Sequence, residues 1–398
     1  MWNPEPEPNP PEGGWKLPIG RPNLSYRERE AVLDALNEGQ ISGATAPVAV
    51  AERAFADYVG TRFAVACNSG GSALHLMIRA LGYPPGSEII VPSFTMVATA
   101  AVVSLAGHVP VFVDCEPKRL TIDPEKIADA VTLKTRAIVV VHLYGHSADM
   151  NRVHHAATLA AATICQKVDV LEDAAEAHGA EYGDKRCGSL GHAAAFGFYG
   201  NKVLTCGEGG MVTTDDEVLA ANVRQLRGYC FDPRYHYWHA ELGHSMRMPG
   251  LQAAMLSDQI ARADALLNDR MEKVAWWFEE LPADKFETCG ESPDCRSCWW
   301  HWWCRVNDRP TVRAALAVAG YETRPGFAPM HVQPCYRDTN IDAAVYSPAA
   351  VWPSRALSCP EAELAGREVL LLPTHCGVER RHVREVAAIL RPHVRPRR

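Results

Sequence analysis

Between about residues 62 and 214, short apolar runs alternate with helix-patterned stretches, and that alternation limits the possible folds more than any other feature of the chain. The runs are FAVA (63–66), IIVP (89–92), VPVFV (109–113), AIVVVH (137–142), VDVLE (168–172) and AAFGF (194–198), with helical segments such as ALHLMIRAL between them. Apolar strands separated by helices pair in parallel and are covered on both faces. The expected fold class is therefore α/β with a mostly parallel sheet. Ser25 and Glu28 form a capping box that opens a helix, and Gly39 can close it. One long helix is expected near 251–281, leaving the first domain. After it come Trp-, Cys- and Pro-rich segments, ending in a helix near 379–390. The expected organisation is a disordered acidic, proline-rich tail (1–16), a large domain (17–260) and a smaller α+β domain (261–398).

A net charge of −7 over 398 residues argues against nucleic acid or an anionic membrane as the main partner. No apolar run approaches the roughly 18 residues of a membrane span, and the N-terminus lacks the basic and apolar regions of a signal peptide. The 13 cysteines, an odd number scattered along the chain, suit a reducing, cytoplasmic setting. Cys289, Cys295, Cys298 and Cys304 have some of the spacing of a zinc knuckle. A lone CxxC lacks a second close pair, so free thiols and no metal are expected. The segment SCWWHWWC reads as an aromatic strand facing the core or a pocket.

The chemistry concentrates at two places. Lys202 lies between the aromatic run Phe196, Phe198, Tyr199 and a turn containing Gly207, Gly209 and Gly210. Twenty-nine residues earlier, Asp173 follows a strand. A surface lysine beside a glycine turn would look the same, and Asp173 alone could be a helix N-cap. Together they are what pyridoxal 5′-phosphate (PLP) requires: a lysine to form the Schiff base and a carboxylate to keep the pyridine nitrogen protonated. Glu176 can face the cofactor's ring hydroxyl. His178 either contacts the ring or packs in the core. NSGGS (68–72) lies between a strand and a helix, where backbone N–H groups can cradle a phosphate.

With these residues in view, the chain resembles the nucleotide-sugar aminotransferases of the DegT/StrS type, PLP enzymes of the aspartate-aminotransferase fold (fold type I). NSGGSALHL, IIVPSFTMVATA, LEDAAEAHGAEY, FGFYGNKVLTCGEGGMV, YWHAELGHSMRM, YETRPGFAPMHVQPCY and EVLLLPTH carry the likeness. The resemblance implies that Lys202 is the catalytic lysine and that Gly70, Gly71, Ser72, Met96, Asp173, Glu176, Gly197, Asn201 and Ser245 bind the cofactor. His178, Arg247, Arg324 and His331 would meet the substrate. It implies a homodimer with shared active sites, in which residues 243–248 reach into the partner's site. The donor would be L-glutamate and the acceptor a nucleotide-linked 4-keto-6-deoxyhexose such as GDP-4-keto-6-deoxymannose. Another UDP- or dTDP-linked keto sugar stays open, as does a non-catalytic sugar-nucleotide-binding homologue. The family usually has threonine at Gly71, an aromatic at Met96, serine at Gly197 and asparagine at Ser245. Two phosphate-binding hydroxyls are thus missing, which implies weaker cofactor retention.

Overall fold

A computed structural model describes residues 5–232, 234–235, 237–290, 292–337 and 351–397. Its strands are β1 (Phe63–Cys67), β2 (Glu88–Pro92), β3 (Val109–Val113), β4 (Thr135–Val141), β5 (Asp169–Asp173), β6 (Glu181–Tyr182), β7 (Lys185–Arg186), β8 (Ala193–Gly197), β9 (Gly210–Thr214), β10 (Cys295–Arg296), β11 (Trp302–Arg305), β12 (Arg324–Pro325), β13 (Arg355–Ala356) and β14 (Val369–Leu372). An eight-stranded sheet has the order β1-β9-β8-β5-β4-β2-β3-β13. Neighbours from β8 through β13 pair in parallel, whereas β9 runs antiparallel to both β1 and β8. The chain is therefore α/β around a mostly parallel sheet, as the alternation of runs predicts.

The six apolar runs all become strands of this sheet. Two features differ from expectation. GMVTT (210–214) is a seventh central strand, and it is antiparallel because residues 198–209 return directly from β8 without a crossover helix. The long helix expected near 251–281 is two helices, Gly250–Ala261 and Ala263–Glu280, separated at Arg262. There the Arg262 guanidinium reaches Glu28 at 3.0 Å and bonds the Asn23 carbonyl. The Ser25–Glu28 capping box forms and opens helix Tyr26–Asn37.

The later part of the chain adds the small sheet β11-β14-β12. Trp277, Trp302 and the leucines of β14 join the same apolar cluster as Phe55, Phe196 and Phe198 under the large sheet. The division expected at 260/261 would fall in the last turn of helix Gly250–Ala261, and β13 returns to the edge of the large sheet beside β3. Among the described residues no helix is long and apolar enough to cross a membrane.

Part of the tail expected to be disordered lies against the helix Arg309–Val318. Glu5 pairs with Arg309 at 2.7 Å and with Arg313 at 3.3 Å, and Glu7 pairs with Arg313 at 2.7 Å. Both arginine side chains are almost wholly buried, at 4% and 2% exposed. A buried guanidinium without a carboxylate is strongly unfavourable, so these two charges hold the tail down. A chain beginning at Asn9 is expected to lose about 2–3 kcal/mol in urea unfolding. That is less than the ~3–5 kcal/mol typical of an orphaned buried charge, because water would enter once the tail is gone. An unchanged unfolding midpoint would show that the arginines do not need the tail.

Candidate active site

Asp173, Glu176, Lys202 and the NSGGS loop converge at the carboxyl ends of the parallel strands, where open α/β sheets bind ligands. β1 runs into Asn68–Ser72, β2 into Ser93–Met96, β4 into His142–Gly145 and β8 into the Lys202 loop, while Asp173 is the last residue of β5.

The first loop enters helix Gly70–Ala80. Ser69 is its N-cap, and its hydroxyl accepts from the Ser72 N–H at 3.1 Å. The helix start therefore presents free N–H groups and a positive dipole end. The loop is pressed onto the sheet. A Cβ on Gly70 would stand 2.9 Å from the Gly197 Cα, and a side chain on Gly210 would run into the Ser69 carbonyl. At Gly71 a Cβ would meet only the Ser69 hydroxyl, at 3.9 Å, and at Gly197 only ordinary contacts. The glycines at 70 and 210 are thus required by the close approach, and the one at 71 is not.

Asp173 is buried, at 6% exposed. Thr99 donates its hydroxyl to Oδ2 at 2.7 Å, and the Ala175 N–H donates to Oδ1 at 3.2 Å. Burial pushes its carboxyl above the ordinary aspartate value, and these two hydrogen bonds and the Lys202 charge offset only part of that. Glu176 behaves alike: burial raises it, opposed by Lys202 and by the Tyr144 N–H, which donates to Oε2 at 2.8 Å. Tyr144 has a left-handed backbone (φ +55°), a strained conformation for a non-glycine residue, and it lies in the turn that aims this N–H.

Lys202 comes from a loop closed by its own hydrogen bonds. The Phe198 N–H donates to the Gly209 carbonyl at 2.8 Å, and the Thr205 hydroxyl to the Phe198 carbonyl at 3.0 Å. The side chain is 13% exposed, and its amine lies 3.5 Å from Glu176 Oε1. It also lies 3.7 Å from the centroid of the Trp300 ring. The site thus joins an anion-binding helix start, a buried carboxylate short of a cation, and a sheltered amine.

The profile of the DegT/DnrJ/EryC1/StrS aminotransferase family matches residues 22–391. The chain belongs to this family. It is 37% identical over 383 residues to a GDP-perosamine synthase of Caulobacter vibrioides, covering 94% of this chain and 97% of that protein. It is 36% identical over 332 residues to a dTDP-3-amino-3,4,6-trideoxy-alpha-D-glucose transaminase of Streptomyces venezuelae, covering 83% of this chain and 82% of that protein. Among solved structures, S. venezuelae DesV in complex with a ketimine intermediate superposes with a TM-score of 0.80 at 34% identity, covering 92% of this chain and 93% of that one.

The family's aminotransferases depend on PLP, and the residues present here fit that cofactor. The buried Asp173 carboxylate lacks the cation that a pyridinium supplies, and the helix start lacks the anion that a phosphate supplies.

The other residues expected at an aminotransferase site separate into those near this cluster and those elsewhere. Met96 is half-exposed and caps helix Val97–Leu105, which carries Thr99. Asn201 adjoins Lys202 and keeps a buried side-chain oxygen without a hydrogen-bond partner. His178 takes the core alternative: it is fully buried against Phe196 and Phe198, with ring centroids at 5.5 and 5.3 Å. Burial pushes it down to about 3, so it is neutral and has no surface to offer a substrate.

Arg324 lies apart from this cluster. It pairs with Glu7 and Glu322 and lines a separate cavity of about 230 Å³ with Trp15 and Tyr321. His331 is engaged internally by the Ser93 hydroxyl at 2.6 Å. Ser245 and Arg247 are exposed and bonded to each other at 3.2 Å.

Cys289, Cys295, Cys298 and Cys304 are all buried free cysteines, with Cys298 donating to the Glu176 carbonyl. Thr99, Tyr144 and Trp300 were not singled out from the sequence. Thr99 sits in the quoted SFTMVATA and Trp300 in SCWWHWWC, but only their distances identify them.

Proposed function

We propose that this aminotransferase moves the amino group of L-glutamate onto C4 of a nucleotide-linked 4-keto-6-deoxy sugar, with GDP-4-keto-6-deoxymannose giving GDP-perosamine as the specific case. The observation behind it is the joining of Lys202, Glu176 and Asp173 at the strand ends of a chain 37% identical to a GDP-perosamine synthase along nearly its whole length. A second reading, amination of a dTDP-linked sugar, is favoured by the 36% identity to the S. venezuelae transaminase. Supplying the purified protein with L-glutamate and each keto sugar, then identifying the amino sugar by mass spectrometry, separates the two. Absence of any amino sugar would leave only a binding role.

When bound, PLP supplies an electron sink that lets a proton leave the donor's α-carbon. The chain supplies the rest. Lys202 Nζ would hold the cofactor at rest and, when the donor amine takes its place, would carry the proton between the donor's α-carbon and the cofactor's C4′ carbon. Asp173, held by Thr99 and Ala175, keeps the ring nitrogen protonated. Glu176, aimed by Tyr144, lies beside Lys202 and would face the ring hydroxyl. The start of helix Gly70–Ala80 would hold the phosphate, and Met96 would offer its thioether to the ring.

A homodimer, with Ser245 and Arg247 completing the partner's site, is part of the same proposal, as is a cytoplasmic location suited to the unpaired cysteines. The phosphate cup gives a direct prediction. At Gly71 a Cβ meets only the Ser69 hydroxyl, at 3.9 Å, so Gly71→Thr would add a hydroxyl at the helix start without a backbone clash. It is expected to tighten PLP binding about tenfold to a hundredfold, the value of a hydrogen bond to a charged group. Titration of the apoprotein checks this, and unchanged affinity would mean that backbone N–H groups already saturate the phosphate.

A further inference from the structure

Trp300 belongs to the aromatic segment SCWWHWWC, and the reading above gives it no task. It is 99 residues from Asn201, whose carbonyl accepts its indole N–H at 2.8 Å, and its ring face lies 3.7 Å from Lys202 Nζ. The residue is itself held firmly. Its carbonyl accepts from Arg270 Nη1 at 2.8 Å and from the Thr374 hydroxyl at 2.9 Å. Its backbone packs so tightly on the 142–146 turn that a Cβ at Gly145 would stand 2.8 Å from the Trp300 nitrogen. That turn carries Tyr144, whose N–H orients Glu176. One residue next to the small sheet therefore touches the lysine's amine, the lysine's loop and the turn that aims the lysine's carboxylate.

We propose that Trp300 is a positioning residue for Lys202: its indole N–H fixes the lysine loop and its ring face receives the amine whenever the amine is released. This rests on the reading of Lys202 as the cofactor lysine. In each half-reaction the amine must leave the cofactor, wait and return. A buried ammonium held only by a carboxylate would be bound tightly to one spot. An aromatic face attracts the cation without fixing its direction, so the amine stays within reach of both the donor carbon and the cofactor. Among the described residues, Glu176 is the carboxylate within 4.0 Å of Nζ, and Trp300 supplies the opposing apolar contact.

The test compares Trp300→Leu, Trp300→Phe and wild type, with Lys202→Ala as the control. The first readout needs no cofactor: the rate at which Lys202 of the apoprotein is acetylated by acetic anhydride, followed across pH by peptide mass spectrometry. Loss of the ring face is expected to speed labelling in Trp300→Leu by about threefold to thirtyfold, the range of a cation–π contact. Trp300→Phe keeps a face and should stay within about twofold of wild type.

The second readout is the visible circular dichroism of PLP-loaded protein, which reports how the cofactor is held. It should weaken in both variants, because both lose the bond to Asn201. Wild-type labelling and wild-type dichroism in a folded Trp300→Leu would overturn the proposal. Should that variant not fold, Trp300→Phe decides alone: unchanged dichroism counts against the proposal and a weakened band supports it. A wild-type protein with no visible band at saturating PLP would instead overturn the reading of Lys202, and labelling of the apoprotein would still judge the Trp300 contact.

Discussion

Lys202→Ala is expected to fold normally and to lose amino transfer on the order of 10⁴-fold, since the substitution removes both the covalent anchor and the proton carrier. The structure explains why these effects should separate. The lysine side chain makes one longer ion pair, 3.5 Å to Glu176, and one ring contact, to Trp300. Its loop is closed independently by backbone bonds and by Thr205. The fold should therefore lose no more than about 1–2 kcal/mol. Single-turnover kinetics with glutamate, alongside thermal unfolding, measure the two effects. A small primary amine added to the variant should recover part of the proton-transfer rate, because the cavity left by the side chain stays flanked by Glu176 and Trp300. Activity within tenfold of wild type would remove Lys202 from the chemistry altogether.

What the sequence makes legible follows from where the determining contacts lie. Six strands of the large sheet could be read because each is a short apolar run, and burial on both faces demands nothing more. GMVTT escaped because it carries two threonines and follows glycines. Its buried hydroxyls are satisfied across the sheet, Thr213 by the Gly188 carbonyl and Thr214 by the His192 carbonyl, which no local pattern announces. The helix break at Arg262 has no proline or glycine to mark it, and it coincides with a pairing to Glu28, far away in sequence.

The site divides in the same way. Asp173, Glu176 and Lys202 were readable because strand ends and a glycine-rich loop carry them. The surroundings of Arg324 were not readable, because nothing local reveals that Glu7, 317 residues away, reaches its guanidinium. SCWWHWWC was recognisable as aromatic and inward-facing. Which of its tryptophans meets the lysine depends on the pairing of β11 with β14, Trp302 opposite Leu372, which leaves Trp300 beyond the strand at the crevice.

Asp173→Asn should show a function that works against stability. The amide is nearly isosteric and can keep the Ala175 N–H and Thr99 hydroxyl as partners, so little packing is lost. It cannot keep the cofactor's ring nitrogen charged. Activity and PLP retention are expected to fall about a hundredfold, the scale of one lost charge-assisted hydrogen bond. The apoprotein should respond in the opposite direction. Burial raises the folded-state pKa of Asp173 above its unfolded value, so the folded chain binds a proton more readily than the unfolded chain. Below the unfolded aspartate value of about 3.9, wild type and variant both carry a neutral group, and the buried charge makes no difference between them. As pH rises through the raised folded value, wild-type apoprotein loses stability that the variant keeps. The variant's advantage should therefore be present at pH 7 and shrink on acidification, and PLP should abolish it by bringing the missing cation to wild type alone. Urea unfolding of both apoproteins at neutral and acid pH, repeated with PLP, measures each step. A variant less stable than wild type at pH 7 without cofactor would mean that the carboxylate is already compensated inside the chain, and that Asp173 is not waiting for a ligand's charge.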